Sequence, residues 1–139
     1  MAPENSDADQ FPILNRLTIL LVDDDEDTLD LLQFIFEQCQ AKVVSARSVQ
    51  AALQIIEQTN VSIMISDIGM PDEDGYFLVR QVQRLQTERD RYFPTIALTA
   101  FAKEEDQQAA LTAGFQQYLA KPVNPYDLIE VVVKLTNSP

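Results

Sequence analysis

From about residue 17 to residue 135, short apolar runs alternate with stretches in which apolar residues recur at helical spacing. Leu17–Val22 (LTILLV) predicts a strand, and a helix is expected from about Asp27 to Cys39. In that helix Leu32, Ile35, Phe36 and Cys39 fall at i, i+3, i+4 and i+7, one face of a 3.6-residue period. Lys42–Ala46 (KVVSA) is strand-like, and Ser48 is placed to cap a helix whose Val49, Ala52, Leu53 and Ile56 repeat the spacing. Val61–Ser66 (VSIMIS) predicts a third strand ending at Asp67, after which Asp74 and Gly75 open a helix that turns Leu78, Val82 and Leu85 inward. Thr95–Thr99 (TIALT) predicts a fourth strand, followed by an Ala-rich helix from about Lys103 to Ala113 that stops at Gly114. Gln117–Ala120 (QYLA) gives a fifth strand, and Asn124–Leu135 a fifth helix with Leu128, Val131, Val132 and Leu135 on its buried stripe.

Strands that alternate with helices imply right-handed βαβ units and a parallel sheet covered on both faces. The segments near Leu20, Ile63 and Ile96 are almost continuously apolar, as strands buried on both faces must be. The fold class expected is therefore α/β, a doubly wound five-stranded parallel (βα)5 sandwich forming one domain over residues 17–136. Residues 1–16, with Pro3, Pro12 and several polar residues, read as a flexible leader or linker, and residues 137–139 as a C-terminal tail. Ile129 and Val133 lie off the main stripe of the fifth helix and read either as part of a dimer or partner surface or as ordinary isolated exposed apolar residues.

Composition removes several classes of function. With 139 residues, 46% of them hydrophobic, the chain suits one domain with one sizeable core. Its apolar runs fall far short of the roughly 20 residues that cross a bilayer, and the acidic first residues make no signal peptide. A soluble, cytoplasmic protein is expected. Cys39 is the single cysteine and sits on an apolar helix face, so it reads as a small core residue. Histidine is absent, which excludes Ser-His-Asp and Cys-His catalysis and histidine-ligated zinc. A net charge of −12 with ten scattered Lys and Arg argues against direct contact with nucleic acid or an anionic membrane.

In open α/β sheets, sites form beyond the carboxyl ends of the strands. Asp23, Asp24, Asp25, Glu26 and Asp27 follow the first expected strand, and Asp67 ends the third, leading into Ile68-Gly69-Met70-Pro71. Thr99 ends the fourth, and Lys121-Pro122 follows the fifth. Singly, each has a plain structural account: Asp25 or Asp27 caps a helix, Lys121 is solvated, Thr99 is a β-branched strand residue. Together they are harder to dismiss, because gathered carboxylates repel unless a cation compensates, and hard divalent cations prefer oxygen ligands. A carboxylate nucleophile, a cation, a hydroxyl and an ammonium are the parts that phosphoryl transfer to aspartate requires. The Walker-type glycine loop for a nucleotide is missing: only three glycines occur, none in that pattern.

At these residues the sequence resembles the receiver domains of two-component response regulators, with the CheY-like, flavodoxin-like form of the fold. The matching pieces are LLVDD (Leu20–Asp24), ISDIGMPDEDG (Ile65–Gly75), ALTA (Ala97–Ala100) and YLAKP (Tyr118–Pro122). The resemblance implies that Asp67 is the phospho-acceptor and that Asp23 and Asp24 are the acidic pair binding Mg²⁺. It implies the Gly69 backbone carbonyl as a further ligand, Thr99 as the switch hydroxyl and Lys121 as the partner of the phosphoryl group. Pro122 matches a proline at which a cis Lys–Pro bond is usual, and Tyr118 matches an aromatic rotamer switch. From spacing alone Tyr118 would be a surface aromatic packed on a neighbour. The resemblance also implies that the position of Phe101 influences dephosphorylation, where a bulky ring is expected to shield the site from water.

The implied partners are a histidine kinase or histidine phosphotransfer protein as donor and a downstream protein reached through the fourth helix, fifth strand and fifth helix. A phosphorylation-dependent homodimer is a further expectation. Such a chain is no enzyme in the ordinary sense, since it catalyses only its own phosphorylation and dephosphorylation. Two kinds of chain remain open, a stand-alone regulator and a receiver belonging to a hybrid histidine kinase, whose wording LTAGF (Leu111–Phe115) resembles. One rival reading is a Mg²⁺-dependent phosphohydrolase, which would want a second Asp where Gly69 stands; another is a pseudo-receiver, which would have lost a site residue.

Overall fold

The computed structural model describes residues 11–70, 75–100 and 103–136. The changes of period in the sequence become five strands, β1 (Thr18–Val22), β2 (Lys42–Ala46), β3 (Ile63–Asp67), β4 (Thr95–Thr99) and β5 (Gln117–Ala120). Between and after them run α1 (Glu26–Gln38), α2 (Val49–Gln58), α3 (Gly75–Arg89), α4 (Glu104–Ala113) and α5 (Pro125–Thr136). All strand pairs are parallel, in the order β2-β1-β3-β4-β5. The order reverses between β1 and β3, which is where ligand crevices open in doubly wound sheets.

Alternation along each strand divides the core in two. Ile19, Leu21, Ile63, Ile65, Ile96 and Leu98 face α1 and α5, meeting Leu29, Leu32, Phe36, Leu128 and Val132. Leu20, Val22, Met64 and Ala97 face the other way, against Ala52 and Ile56 of α2, Leu78, Val79 and Val82 of α3, and Ala110 of α4. Every residue of β3 and β4 is buried, as central strands of a covered sheet must be.

Local signals set the helix ends. Asp25 caps α1, its carboxylate accepting from the Asp27 N–H at 3.3 Å and the Thr28 hydroxyl at 2.7 Å. The Ser48 hydroxyl accepts from the Ala51 N–H at 3.1 Å and starts α2. Gly114, at φ 128°, ends α4 in a conformation that favours glycine. The α5 helix opens with Pro125 after Asn124, whose side chain accepts from the Tyr126 and Asp127 N–H groups at 2.8 and 3.2 Å. Asp74, expected to help open α3, lies outside the described residues.

Two expectations are corrected. Residues 11–16 are not a loose leader: Leu14 is only 1% exposed, its N–H donates to the Cys39 carbonyl at 2.7 Å, and the Phe11 ring stacks on Tyr126. The polar and proline-bearing composition hid two apolar anchors three residues apart. Ile129 and Val133 also form no exposed partner surface. Ile129 is buried and Val133 packs against the α1–α5 core, because α5 meets α1 as well as the sheet. A helix with two neighbours buries a wider stripe than one lying on a sheet alone. Cys39 is buried, as expected, and burial pushes its thiol pKa up.

Candidate functional site

Three strand ends and one loop build the site. Beyond Val22 the chain leaves the sheet at Asp23, whose N–H donates to the Ala46 carbonyl at 3.1 Å. Asp67 is the last residue of β3. Asp23, Asp67 and Lys121 continue the alternation of Leu21, Ile65 and Leu119, which face the α1–α5 side. The period-2 rule therefore directs their side chains to the same side of the same edge. Oxygen atoms of Asp23, Asp24 and Asp67 come within 4.8 Å of one another.

Asp23 and Asp67 are buried carboxylates, and Lys121 lies between them. Its ammonium donates to Oδ2 of Asp23 at 2.9 Å and stands 3.3 Å from Oδ2 of Asp67. Backbone N–H groups hold the remaining oxygens: Asp25 donates to Oδ1 of Asp23 and Gly69 to Oδ1 of Asp67, both at 2.9 Å. Burial pushes the Asp23 carboxyl above the ordinary carboxylate value, with the charge of Asp67 adding to the rise. The bonds from Lys121 and the Asp25 N–H oppose that shift without cancelling it. Burial alone would pull the Lys121 ammonium down, yet the bond to Asp23 and the charges of Asp23 and Asp67 hold it above its usual value. One ammonium thus serves two buried carboxylates and leaves the cluster short of positive charge. Exposed Asp25 is displaced downward, first by the Thr28 hydroxyl.

Thr99 is buried at the end of β4, one residue beyond the Asp67–Leu98 register pair, and its carbonyl accepts from the Lys121 N–H at 2.8 Å. Tyr118, half-buried in β5, packs against the core on the opposite face of the sheet, beside α2, α3 and α4. The Lys121–Pro122 bond is cis. Phe101 falls outside the described residues. Sequence reasoning passed over Arg47, whose guanidinium donates to the Asp24 carbonyl at 3.3 Å. Its signal was present: Arg47 directly follows β2, the strand beside β1, and so stands next to the acidic loop.

Whether this edge suits a divalent cation can be judged from its donors. Three carboxylates, two of them buried and sharing a single ammonium, supply hard oxygen ligands and unbalanced negative charge. They fit a hard divalent cation such as Mg²⁺, which takes oxygen ligands and keeps part of its water. Among the described residues no helix is long and apolar enough to cross a membrane.

Comparison with known proteins agrees. The family model described as "Response regulator receiver domain" matches residues 19–133. An uncharacterized 14.6 kDa protein of Leptolyngbya boryana is 45% identical over 119 residues, covering 86% of this chain and 89% of that one. Sensor protein GacS of Pseudomonas syringae is 32% identical over 139 residues, covering 98% of this chain but only 15% of its own length. Among solved structures, a CheY-like response regulator receiver domain protein from Methanospirillum hungatei superposes with a TM-score of 0.78 at 31% identity, covering 87% of this chain and 94% of that one.

Proposed function

The chain belongs to the response regulator receiver domain family, and from that membership we propose that Asp67 accepts a phosphoryl group with Mg²⁺ bound by Asp23, Asp24, Asp67 and the Gly69 carbonyl. The carrying observation is the convergence of the three carboxylates within 4.8 Å, with the Lys121 ammonium 3.3 Å from Asp67. An oxygen of Asp67 forms a bond to phosphorus as the nitrogen–phosphorus bond of a phosphohistidine breaks, the imidazole leaving with the electron pair. The chain has no histidine, so that group belongs to another domain or protein, a histidine kinase or histidine phosphotransfer protein. Bound Mg²⁺ would neutralise charge between the carboxylates and the phosphoryl oxygens. Lys121 and the Thr99 hydroxyl are placed at the same edge to hold the remaining oxygens.

Thr99 and Tyr118 are proposed as the switch. Contact between the Thr99 hydroxyl and the phosphoryl group favours one arrangement of that strand end, and the Tyr118 ring follows. The surface of α4, β5 and α5 then changes its population of states, and a downstream protein or a second copy reads the change. The GacS match supports the hybrid-kinase setting and the Leptolyngbya match the short stand-alone one. A cytoplasmic location goes with either.

Intact-protein mass after incubation with a small phosphodonor, with and without Mg²⁺, tests the reading. A Mg²⁺-dependent gain of one phosphoryl group, lost in Asp67→Asn, is expected. Steady donor consumption that survives Asp67→Asn would assign the chemistry to a phosphohydrolase instead. No gain with Mg²⁺ demonstrably bound would make this a pseudo-receiver.

A further inference from the structure

The geometry points to a positioning role for the segment ahead of β1: the stack of Phe11 on Tyr126 holds the loop that carries Lys121. Phe11 and Leu14 lie outside the span that matches the family, which begins at residue 19. Leu14 nonetheless belongs to the α1–α5 core, among the most deeply buried large side chains of the described residues, and the partly buried Phe11 packs against that core. Leu14 is pinned near the end of α1 by its bond to the Cys39 carbonyl, and Leu17 N–H donates back to the Leu14 carbonyl at 2.9 Å. From that anchor the chain reaches Tyr126, where the two rings stack with centroids 5.9 Å apart and planes 14° apart.

Tyr126 sits in the first turn of α5, five residues beyond Lys121. The Asn124 side chain caps that turn, and Lys121 N–H is fixed to Thr99. The loop 121–124 is therefore held at one end by β4 and at the other by a turn that Phe11 braces. Loosening the brace gives the loop freedom, and the Lys121 ammonium spends less time between Asp23 and Asp67.

The consequence is a pair of opposite changes. Lys121 competes electrostatically with a cation for Asp23 and Asp67, so a looser Lys121 lets Mg²⁺ bind more tightly. The same ammonium stabilises the transferring phosphoryl group in the proposed reaction, so a looser Lys121 slows phosphorylation. Simple loss of stability would weaken both. The phosphorylation arm rests on the proposed function; the Mg²⁺ arm rests only on the carboxylate geometry.

The test uses the full chain carrying Phe11→Ala and, separately, Tyr126→Ala, with Phe11→Tyr as the conservative control. Calorimetric Mg²⁺ titration, the rate of phosphorylation by a small phosphodonor, and hydrogen exchange at the Tyr126 and Asp127 amides are measured. Both Ala variants should bind Mg²⁺ about two- to fourfold more tightly, phosphorylate two- to fourfold more slowly and exchange faster at the two amides, while Phe11→Tyr stays near the parent. Mg²⁺ affinity that is unchanged or lower in both Ala variants would overturn the inference. Absence of phosphorylation in the parent chain would sink the proposed function and leave the Mg²⁺ and exchange arms to decide the strap.

Discussion

Helices α4 and α5 lie on opposite faces of the sheet near its β5 edge, and they are attached in different ways. Helix α5 buries Leu128, Ile129 and Val132 and is braced by Phe11 at its first turn. Helix α4 buries only Ala110. It borders a groove of about 1140 Å³, walled by Tyr76, Arg80 and Gln83 of α3 and by Glu104, Gln108 and Thr112 of α4. Its Leu111 points outward, and its first turn carries Glu104, Glu105 and Asp106. The contrast separates two duties. An element that must keep the Lys121 loop in place needs many apolar anchors, whereas an element that must change position when the site is modified needs few. The half-buried Tyr118 ring lies on the lightly anchored side and Lys121 on the firmly anchored one, so the proposed switch and the proposed site fall on different faces of one sheet.

The largest effect should come from removing an α5 anchor. Leu128→Ala, at a fully buried position, is expected to lower unfolding stability by about 2–5 kcal/mol in a denaturant titration. The matching change in α4, Ala110→Gly, should cost only about 1 kcal/mol, mostly helix propensity. Equal losses would erase the contrast. Hydrogen exchange draws the same line without mutation, with α4 amides exchanging well ahead of those in the middle of α5.

Next in size is the metal. At a hundredfold excess over its Kd, Mg²⁺ should raise stability by about 2.7 kcal/mol, an increment that Asp23→Asn and Asp24→Asn each abolish or sharply reduce. Thermal midpoints with and without Mg²⁺ measure it.

The smallest shift concerns the metal-free chain. The folded-state pKa of Asp23 lies above its unfolded value near 3.8, so the folded protein binds the proton more tightly. By linkage this makes the folded state relatively more stable below that folded pKa, and the contribution is lost as pH rises through it. Without Mg²⁺, Asp23→Asn should therefore raise the unfolding midpoint at pH 7 and flatten the decline in stability above pH 4. A lower midpoint at pH 7 would mean that the Lys121 bond outweighs burial.

Much of this was legible in the residues. Period changes located all five strands and helices, and Ser48, Asp25 and Gly114 announced their ends, because caps are local chemistry. Strand-end placement also told which polar residues would gather, since a parallel sheet brings every carboxyl end to one edge. What escaped was set by contacts distant in sequence. Leu14 finds Cys39, and Phe11 finds Tyr126, only once α1 and α5 lie side by side. Ile129 looked surplus on a single helix and became core when a second neighbour appeared. The sharing of Lys121 between two buried carboxylates depends on ångström distances that no spacing rule supplies.

In the proposed reaction Asp67, alone among several acids at one edge, carries the phosphoryl group. Borohydride reduction of the phosphorylated chain converts an aspartyl phosphate to homoserine, and peptide mass mapping then locates the altered residue. Conversion is expected at residue 67 alone, dependent on Mg²⁺ and absent in Asp67→Asn. Conversion at Asp23 or Asp24, or retention of a phosphoryl group that borohydride cannot reduce, would contradict it.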